Sequence, residues 1–429
     1  MKSIQQLYNV FLQSTGANTD TRTVSSGQLF IALKGENFNG NQFAKSALEN
    51  GAIAAIIDEA EYFIDDEKTL LVENCLEALQ ALAQYHREQF DIPVIAITGS
   101  NGKTTSKELI NALLTAQYKV CCTHGNLNNH IGVPLTLLRM KKGDEIALIE
   151  MGANHCGEIE SYCRWVQPTI GIISNIGKAH LEGFGGIEGV IRGKTELYKS
   201  IEQRSQLVFV NGDDPLLMEQ SKHLKRLIYG STHADYLFEQ ADGKHELLRI
   251  YAIEEGVKTV INSQLTGDYN FSNIALAVSL GRYFKIDMAK IARAIEDYTP
   301  TNSRSQIIKR GSNTIILDAY NANPSSMEEA LKNLAAMPQS IKVAMIGGMK
   351  ELGAESDEEH RRIIEFAKQF HFSKLVVVGM EFKKAAEESG LIYFENSELA
   401  KTWFDNQAFE HAVILIKGSR GTKMEKVIE

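Results

Sequence analysis

The 429-residue sequence contains no apolar run near the roughly 20 residues that a membrane-spanning helix needs. Its first residues, MKSIQQLYNVFLQSTG, lack the apolar core and cleavage pattern of a secretory signal. The five cysteines form no CxxC pair and are odd in number, which argues against both a disulfide framework and a zinc site. We therefore expect a cytoplasmic protein with free thiols and no membrane insertion.

Positive charge is also in short supply. The sequence has 45 Lys and Arg residues against 54 Asp and Glu residues, which gives a formal net charge of −9. Because nucleic-acid binding needs a basic surface, this balance argues against a nucleic-acid partner but leaves room for one positive cleft. Apolar residues make up 44% of the chain, which is ordinary for a globular protein.

The chain is longer than a domain with one hydrophobic core usually is, and the pattern of apolar and polar residues changes twice along it. Residues 1–86 mix short strand-like runs with turn-rich connectors. Residues 87–299 alternate continuous apolar runs with helical stretches, as in a parallel sheet buried on both faces, and residues 300–429 repeat this alternation. We predict an α/β protein of three domains: a small N-terminal α/β domain, a central parallel-sheet domain and a C-terminal Rossmann-like doubly wound domain.

Within the central region the apolar runs predict strands, and residues 235–265 predict a small antiparallel insert. The predicted strands are Val94–Thr98, Lys119–Cys122, Ile146–Glu150, Thr169–Ser174 and Leu207–Val210. The first of them leads directly into a glycine-rich loop.

That loop lies in the stretch VIAITGSNGKTTSKELI and has the context of a phosphate loop with one glycine missing. The P-loop pattern is Gly, four residues, then Gly-Lys-Ser/Thr, but Ile97 stands where the first glycine belongs. Glycines at a helix start let backbone N–H groups approach a phosphate, while Lys103 can reach its oxygens and the Thr104 hydroxyl can ligate Mg²⁺. A ligand-free turn is the alternative, and the Gly-Lys-Thr-Thr run argues against it. We therefore expect a P-loop mononucleotide-binding domain.

Further polar side chains lie near the predicted strand ends. Glu150 ends a buried strand, where a carboxylate suits a Mg²⁺ ligand but also suits a solvated turn. The stretch after the next strand offers Asn175, His180 and Lys194, although a lone histidine or lysine is usually structural. The asparagines of THGNLNNHIG suit either polar substrate recognition or a turn. None of these clusters decides the chemistry alone.

Taken together, several motifs resemble the Mur ligase family along essentially the whole chain. They are TGSNGKTT, EMGANHCGEI, NIGKAHLEGFG, RGKTELY, DAYNANPSSM and KGSRGTKME. The order and joint spacing of the motifs are more specific than any single motif. The family uses a shortened phosphate loop, which accounts for Ile97.

The resemblance implies an ATP-dependent ligase that forms an amide bond through an acyl phosphate, with Mg²⁺ as cofactor. The motif YNANPSSM indicates the subgroup that adds D-alanyl-D-alanine to UDP-N-acetylmuramoyl-tripeptide in peptidoglycan precursor synthesis. These substrates are the implied partners, and we expect a monomer. One alternative is a folylpolyglutamate synthase or a Mur ligase that adds a single amino acid. A second alternative is a noncatalytic ATP-binding scaffold protein.

The resemblance also implies roles for individual residues. Those implied to bind ATP are Gly99, Ser100, Asn101, Gly102, Lys103, Thr104, Thr105, Asn270, Asn273, Arg304, Asp318, Tyr320 and Asn321. Those implied to bind substrate are Asp20, Thr21, Arg22, Asn126, Asn128, Asn129 and Asn323. Those implied to hold the metal are Thr104, Glu150, His180 and, if carbamylated, Lys194. The implied catalytic residues are Lys103, His180 and Lys194.

Two positions depart from the pattern of the family. Tyr269 stands where the family usually has His before the adenine motif, and Gly348 stands where it usually has Asp. Neither position belongs to the implied phosphate or metal residues. The departures bear on the adenine contacts and on the loop around Met349.

Overall fold

The computed structural model describes residues 1–241, 246–301 and 303–429. These residues form three α/β units, each built on its own mainly parallel sheet. The predicted fold class is therefore confirmed. Among the described residues, no helix combines the length and the apolarity that crossing a membrane requires.

The N-terminal unit is built on a short parallel sheet. Its strands are β1 (Ala17–Asn18), β2 (Leu29–Ile31), β3 (Lys34–Gly35), β4 (Phe38–Asn39), β5 (Ala54–Ile57) and β6 (Thr69–Leu71). Its helices are α1 (Ile4–Gln13), α2 (Ala44–Glu49) and α3 (Cys75–Arg87). The sheet order is β1-β2-β5-β6, and β3 pairs with β4 in a separate antiparallel ribbon. Helix α1 begins at a capping box between Ser3 and Gln6 and buries Leu7 and Phe11 in the core.

The central unit is built on the widest sheet. Its strands are β7 (Val94–Thr98), β8 (Val120–Cys122), β9 (Ile146–Glu150), β10 (Ile170–Ile173), β11 (Leu207–Asn211), β12 (Arg226–Gly230), β13 (Tyr236–Gln240), β14 (Arg249–Glu254) and β15 (Val257–Asn262). Its helices are α4 (Lys103–Leu114), α5 (Gly132–Leu137), α6 (Glu158–Val166), α7 (Leu181–Phe184), α8 (Ile187–Gln203), α9 (Pro215–Gln220), α10 (Asn270–Tyr283) and α11 (Met288–Asp297). The sheet order is β15-β14-β13-β12-β11-β10-β7-β9-β8.

The predicted strands of this unit are confirmed apart from their ends. Strand β8 begins at Val120 rather than Lys119, β10 lacks the predicted Thr169 and Ser174, and β11 continues to Asn211. Every residue of β7 and β9 is buried, as continuous apolar runs in a doubly covered sheet predict.

The small antiparallel insert predicted at residues 235–265 is confirmed for β13, β14 and β15, which pair antiparallel in sequence order. Strand β13 pairs in parallel with β12, and β14 and β15 then extend the same sheet in antiparallel fashion. Residues 242–245, which belong to this range, lie outside the described residues. The alternating pattern therefore marks the edge of the main sheet, where one face is less covered.

The C-terminal unit is a second doubly wound sheet. Its strands are β16 (Gln306–Arg310), β17 (Asn313–Asp318), β18 (Ile341–Gly347), β19 (Lys374–Val378), β20 (Ile392–Phe394) and β21 (Ala412–Lys417). Its helices are α12 (Pro324–Ala336), α13 (Ser356–Lys368), α14 (Lys383–Ser389) and α15 (Ser397–Asp405). The sheet order is β16-β17-β21-β18-β19-β20, with β16 antiparallel to β17 and the other pairs parallel.

Helix α3 joins the N-terminal unit to the central unit. Its last residue, Arg87, is buried and donates hydrogen bonds to the carbonyl oxygens of Phe90 (2.7 Å), Val166 (2.9 Å) and Gln167 (3.2 Å). The carbonyl groups at the end of α6 have no helical N–H partner, so the guanidinium satisfies them.

Replacing Arg87 by Met should loosen this junction. The change leaves buried carbonyl groups without donors, which we expect to lower the local stability of α3 and α6 by about 3 kcal/mol. Native-state hydrogen exchange of the two helices measures this loss. Arg164→Met is the matched control because Arg164 is exposed and, among the described residues, pairs only with Glu160 of its own helix. Equal protection in R87M and R164M would contradict the assignment.

Candidate active site

A cavity of about 690 Å³ lies between the central and the C-terminal units. Its central side is lined by residues that follow β7, β9 and β10, the carboxyl edge at which open α/β sheets bind ligands. The predicted site residues that line it are Ser100, Asn101, Gly102, Lys103, Thr104, Thr105, Asn126, Asn128, Asn129, Glu150, His180, Asn270, Asn273, Arg304, Asp318, Tyr320, Asn321 and Asn323. The structure thus brings most of the predicted residues together.

The loop between β7 and α4 explains the missing glycine. Ile97 is fully buried and pairs with Glu150 of β9, so the strand continues where a longer loop would already have begun. The turn is made by Gly99 (φ +143°) and Gly102 (φ +76°), in conformations that other residues rarely adopt. A Cβ on Gly102 would also meet the side chain of Asn273. The loop is short because Ile97, where a longer loop would begin, still belongs to strand β7.

Lys103 begins α4 and turns its ammonium group back over the loop. Its Nζ donates to the carbonyl oxygens of Gly99 (2.6 Å) and Ser100 (3.1 Å). Burial lowers the pKa of Lys103 to about 8, opposed by the nearby carboxylate of Glu150 and assisted by Arg304. The phosphates of a nucleotide would favour the charged form again.

The carboxylate of Glu150 connects the phosphate loop to the loop that carries Asn126, Asn128 and Asn129, here called the asparagine loop. Its Oε1 accepts hydrogen bonds from Thr104 Oγ1 (2.9 Å) and Asn128 Nδ2 (2.8 Å). Its Oε2 has no hydrogen-bond partner among the described residues and lies 3.6 Å from Nζ of Lys107. Lys107 is itself buried and donates to the carbonyl oxygen of Gly125 (3.1 Å).

This arrangement fits a magnesium ion held mainly by phosphate oxygens. Mg²⁺ prefers oxygen ligands and is usually bound by one or two carboxylates together with water and substrate phosphates. Glu150 offers a buried oxygen without a hydrogen bond, and the hydroxyl of Thr104 lies next to the same carboxylate. Among the described residues, no group of three His, Cys, Asp or Glu side chains converges on one metal position.

His180 lines the cavity, but its ring has a partner from the C-terminal unit. Nδ1 pairs with a carboxylate oxygen of Glu351. This hydrogen bond lowers the pKa of Glu351. Among the described residues, no hydrogen bond or ion pair joins the ring of His180 to Thr104, Glu150 or Lys194.

Lys194 lies in α8, behind the cavity wall. Its Nζ donates to the carbonyl oxygen of Ala153 (3.0 Å), which lines the cavity, and lies 5.1 Å from the centre of the Phe184 ring. The side chain is 1% exposed. Burial, with the nearby charge of Lys103, moves the pKa of Lys194 well below its usual range, which favours the uncharged amine.

The C-terminal unit supplies a cationic and aromatic wall. The guanidinium of Arg304 lies 3.6 Å from the centre of the Tyr320 ring. Lys417, at the end of β21, is buried and its Nζ contacts Asp318 Oδ2 (2.5 Å) and the carbonyl oxygen of Asn321 (3.3 Å). These contacts fix the positions of the predicted ATP-binding side chains on this wall.

Several of the predicted asparagines use their side chains within the protein. Asn129 Oδ1 accepts from the backbone N–H of Gly132 (2.8 Å) at the start of α5. Asn273 Nδ2 donates to Asn270 Oδ1 (2.9 Å), and Asn273 Oδ1 accepts from Ser106 Oγ (2.9 Å). The bond from Ser106 joins α10 to α4 and holds the helix start that carries the phosphate loop, while the bond to Asn270 lies within α10.

The predicted residues of the N-terminal unit do not line this cavity. Asp20, Thr21 and Arg22 lie in the loop after β1. Hydrogen bonds from Arg22 (Nη2 to Oδ2, 2.6 Å) lower the pKa of Asp20 to about 2. Asn50 Nδ2 donates to the carbonyl oxygen of Thr21 (3.5 Å), so this loop is tied to the end of α2.

The two residues that depart from the family pattern, Tyr269 and Gly348, each have defined neighbours in the structure. Tyr269 donates or accepts a hydrogen bond with Ser305 Oγ (2.8 Å), which joins the two units at the cavity wall. A Cβ on Gly348 would meet the carboxylate of Glu381, which pairs with Lys350. The space beside residue 348 is therefore already occupied by an acidic group.

Family models match this chain over most of its length. The Mur ligase middle domain matches residues 97–281, the Mur ligase glutamate ligase domain matches residues 303–420, and the Mur ligase family catalytic domain matches residues 14–87. The chain belongs to the Mur ligase family. The resemblance seen in the motifs is thereby confirmed.

This Mur ligase is also similar to other members of the family over nearly its full length. It is 34% identical to the UDP-N-acetylmuramoyl-tripeptide–D-alanyl-D-alanine ligase of Bacillus subtilis, with 96% of this chain and 92% of the relative covered. A crystal structure of MurF from Acinetobacter baumannii matches with a TM-score of 0.88 at 31% identity, covering 99% of this chain and 97% of that chain. MurF ligase from Thermotoga maritima in complex with ADP matches with a TM-score of 0.85 at 27% identity, covering 100% and 97%.

Three residues at the site of this Mur ligase were not anticipated from the sequence. Lys107 follows Lys103 by four residues in α4, and this spacing could have signalled a second lysine on the same helix face. Lys417 closes the apolar run AVILIK at the carboxyl edge of a sheet, which is also a usable signal. Ser305 carries no such signal, because its partner Tyr269 lies far away in sequence.

Nucleotide binding to this Mur ligase should take up protons through Lys103. With a pKa of about 8, the free ammonium group is half deprotonated near pH 8, whereas bound phosphates keep it charged. We expect an uptake of about half a proton at pH 8, close to none at about pH 6, and weaker binding above pH 8. Calorimetric titration with an ATP analogue in buffers of different ionisation enthalpy measures the uptake. Lys103→Met should abolish it, and an unchanged uptake in K103M would contradict the assignment.

Proposed function

We propose that this Mur ligase joins D-alanyl-D-alanine to UDP-N-acetylmuramoyl-tripeptide, with ATP as co-substrate. One observation carries the proposal: the shortened phosphate loop, Glu150 and the segment 318–323 of the C-terminal unit line a single cavity. Relatives that match over 96% of this chain bear the name of that ligase, and one similar structure was solved with ADP.

The proposed chemistry has two steps. A carboxylate oxygen of the tripeptide attacks the γ-phosphorus of ATP, the bond to the β,γ-bridging oxygen breaks, and ADP leaves. The amine of D-alanyl-D-alanine then attacks the acyl carbon, the bond to the phosphate oxygen breaks, and the nitrogen gives up a proton. The first step brings two anions together, so the site must neutralise charge. Lys103 and the backbone N–H groups at the start of α4 supply fixed positive charge for this step.

Thr104 and Glu150 are the residues that would hold a magnesium ion with the phosphates. When bound, the ion would neutralise charge on the phosphate oxygens. The contribution of the chain is to orient the carboxylate. Thr104 and Asn128 fix Glu150 Oε1 and leave Oε2 without a hydrogen bond.

We also propose that Lys194 is carbamylated and that His180 acts with it at the metal. The buried environment of Lys194 favours the uncharged amine, which is the form that reacts with carbon dioxide. In this reaction Nζ bonds to the carbon of carbon dioxide and releases one proton to water. The amine thereby becomes an anionic carbamate with oxygen ligands, which suit Mg²⁺.

The remaining parts of the proposal concern the substrate and the domains. Asp20, Thr21 and Arg22 would bind the uridine nucleotide, while Asn126, Asn128, Asn129 and Asn323 would line the path of the sugar and peptide. The other ATP contacts would come from Asn270, Asn273, Arg304, Asp318, Tyr320 and Asn321. We propose domain boundaries at residues 86/87 and 299/300, because each sheet lies within one of these ranges. The reaction would occur in the cytoplasm, in a monomer.

Product masses test this function directly. The purified protein is incubated with ATP, Mg²⁺, D-alanyl-D-alanine and UDP-N-acetylmuramoyl-tripeptides whose third residue is either meso-diaminopimelate or lysine. We expect a pentapeptide product and phosphate release that requires both substrates. Lys103→Ala should reduce turnover by several orders of magnitude while the fold survives, because it removes charge compensation at the phosphates. Parallel incubations replace D-alanyl-D-alanine and the tripeptides by folate and glutamate, or D-alanyl-D-alanine by single amino acids. Glutamylated folate or a product carrying one added amino acid would favour the alternative ligases, and no product in any incubation would favour a scaffold.

Carbamylation of Lys194 can be observed without turnover. After incubation with ¹³C-bicarbonate, the wild-type protein should show one carbamate carbon signal by NMR that disappears in Lys194→Met. Lys199→Met, at an exposed position of the same helix, should keep the signal. A wild-type protein without this signal would contradict the proposal.

A further inference from the structure

The segment that joins β10 to α7 is held by the C-terminal unit. The backbone N–H of Lys178 donates to Ser325 Oγ (3.1 Å), and its Nζ pairs with Glu359 Oε1 (2.5 Å). Four residues later, the backbone N–H of Glu182 donates to the carbonyl oxygen of Glu351 (3.3 Å). The cavity wall that carries His180 is thus anchored on both sides of that residue.

The imidazole ring of His180 has one bonded and one unbonded nitrogen. Nδ1 pairs with the Glu351 carboxylate, whereas Nε2 has no hydrogen-bond partner among the described residues. The ring lines the cavity. The backbone of His180 has φ +53°, in the left-handed region, which a residue other than glycine adopts when its surroundings hold it there. Backbone and carboxylate together leave the ring little freedom.

We propose that Glu351 is a positioning residue that fixes the tautomer of His180, an inference that rests on the proposed function. The carboxylate accepts the N–H of Nδ1, so the lone pair of Nε2 is left for the cavity that the ring lines. A neutral imidazole without such a partner carries its proton mainly on Nε2, where it blocks that lone pair. Carboxylates that orient a ligating histidine through its other nitrogen act in this way at many metal sites.

The two residues belong to different units of the protein. His180 follows β10 of the central unit, and Glu351 follows β18 of the C-terminal unit. The side chain of Glu351 is 52% exposed, so the carboxylate reaches the ring from the rim of the interface rather than from a core. Separation of the units removes the carboxylate and returns the proton to Nε2. The position of one proton therefore depends on the closure of two domains.

The test locates the ring proton of His180 in the full-length protein labelled with ¹⁵N-histidine, at about pH 8 where imidazole is neutral. The signal is assigned with His180→Gln. Wild type should carry the proton on Nδ1, and E351A should carry it on Nε2. E351Q should keep it on Nδ1, because the amide oxygen still accepts. E359Q, which removes the charge of the neighbouring interdomain pair, is the matched control and should resemble wild type.

Kinetics provide the second readout. In the assay for pentapeptide formation, E351A should lower kcat about 10- to 100-fold with little change in the KM for ATP, and E351Q should recover most of the loss. A wild-type proton on Nε2, an unchanged proton position in E351A, or an equal shift in E359Q would overturn the proposal. If wild type forms no pentapeptide, the proposed function fails, while the proton positions still decide the role of Glu351.

Discussion

The geometry of the site depends on the burial of one carboxylate. Glu150 is 1% exposed at the end of β9, and an ionised group at such depth is tolerated only where donors and cations converge on it. Thr104 and Lys107 of α4 and Asn128 of the asparagine loop provide that compensation. The hydrogen bonds to this carboxylate hold the two loops in place, and the sheet fixes the position of the carboxylate. The positions of the phosphate loop and the asparagine loop thus depend on the rigid strand β9 as well as on their own sequences.

Polar pairs join the central and the C-terminal units at the cavity. Asn323 Nδ2 donates to Asn101 Oδ1 (2.7 Å), so the cap of α12 contacts the phosphate loop directly. Tyr269 and Ser305 form a second bond of this kind at the cavity wall. Polar interfaces of this sort separate at low cost in water, unlike apolar ones, and relative motion of the domains is the expected behaviour. Such a boundary suits an enzyme that must admit three substrates and then exclude water.

Sequence reasoning succeeded where the determinant was local. The strands around β7 and β9 are continuous apolar runs, and the glycines of the phosphate loop mark its turn, so both were predictable from neighbouring residues. The antiparallel pairing of β13, β14 and β15 was predictable from their alternation, but alternation does not tell which sheet a strand joins, so the parallel pairing of β13 with β12 was not. The partner of His180 could not be foreseen either, since Glu351 is brought to it by the packing of two domains. Site residues at strand ends are readable from sequence, whereas contacts across a domain boundary are not.

The hydrogen bonds of Lys103 to its own loop limit which ligands the loop can bind with appreciable affinity. The ammonium group already has two carbonyl oxygens as partners, Gly99 and Ser100. An incoming ligand must offer more than these oxygens do, and only the difference between the two sets of partners contributes to affinity. A neutral molecule or a diffuse anion gains little from that exchange, whereas a polyphosphate gains much. The short loop therefore favours ligands of high charge density. Its backbone oxygens compete with every ligand for the ammonium group of Lys103.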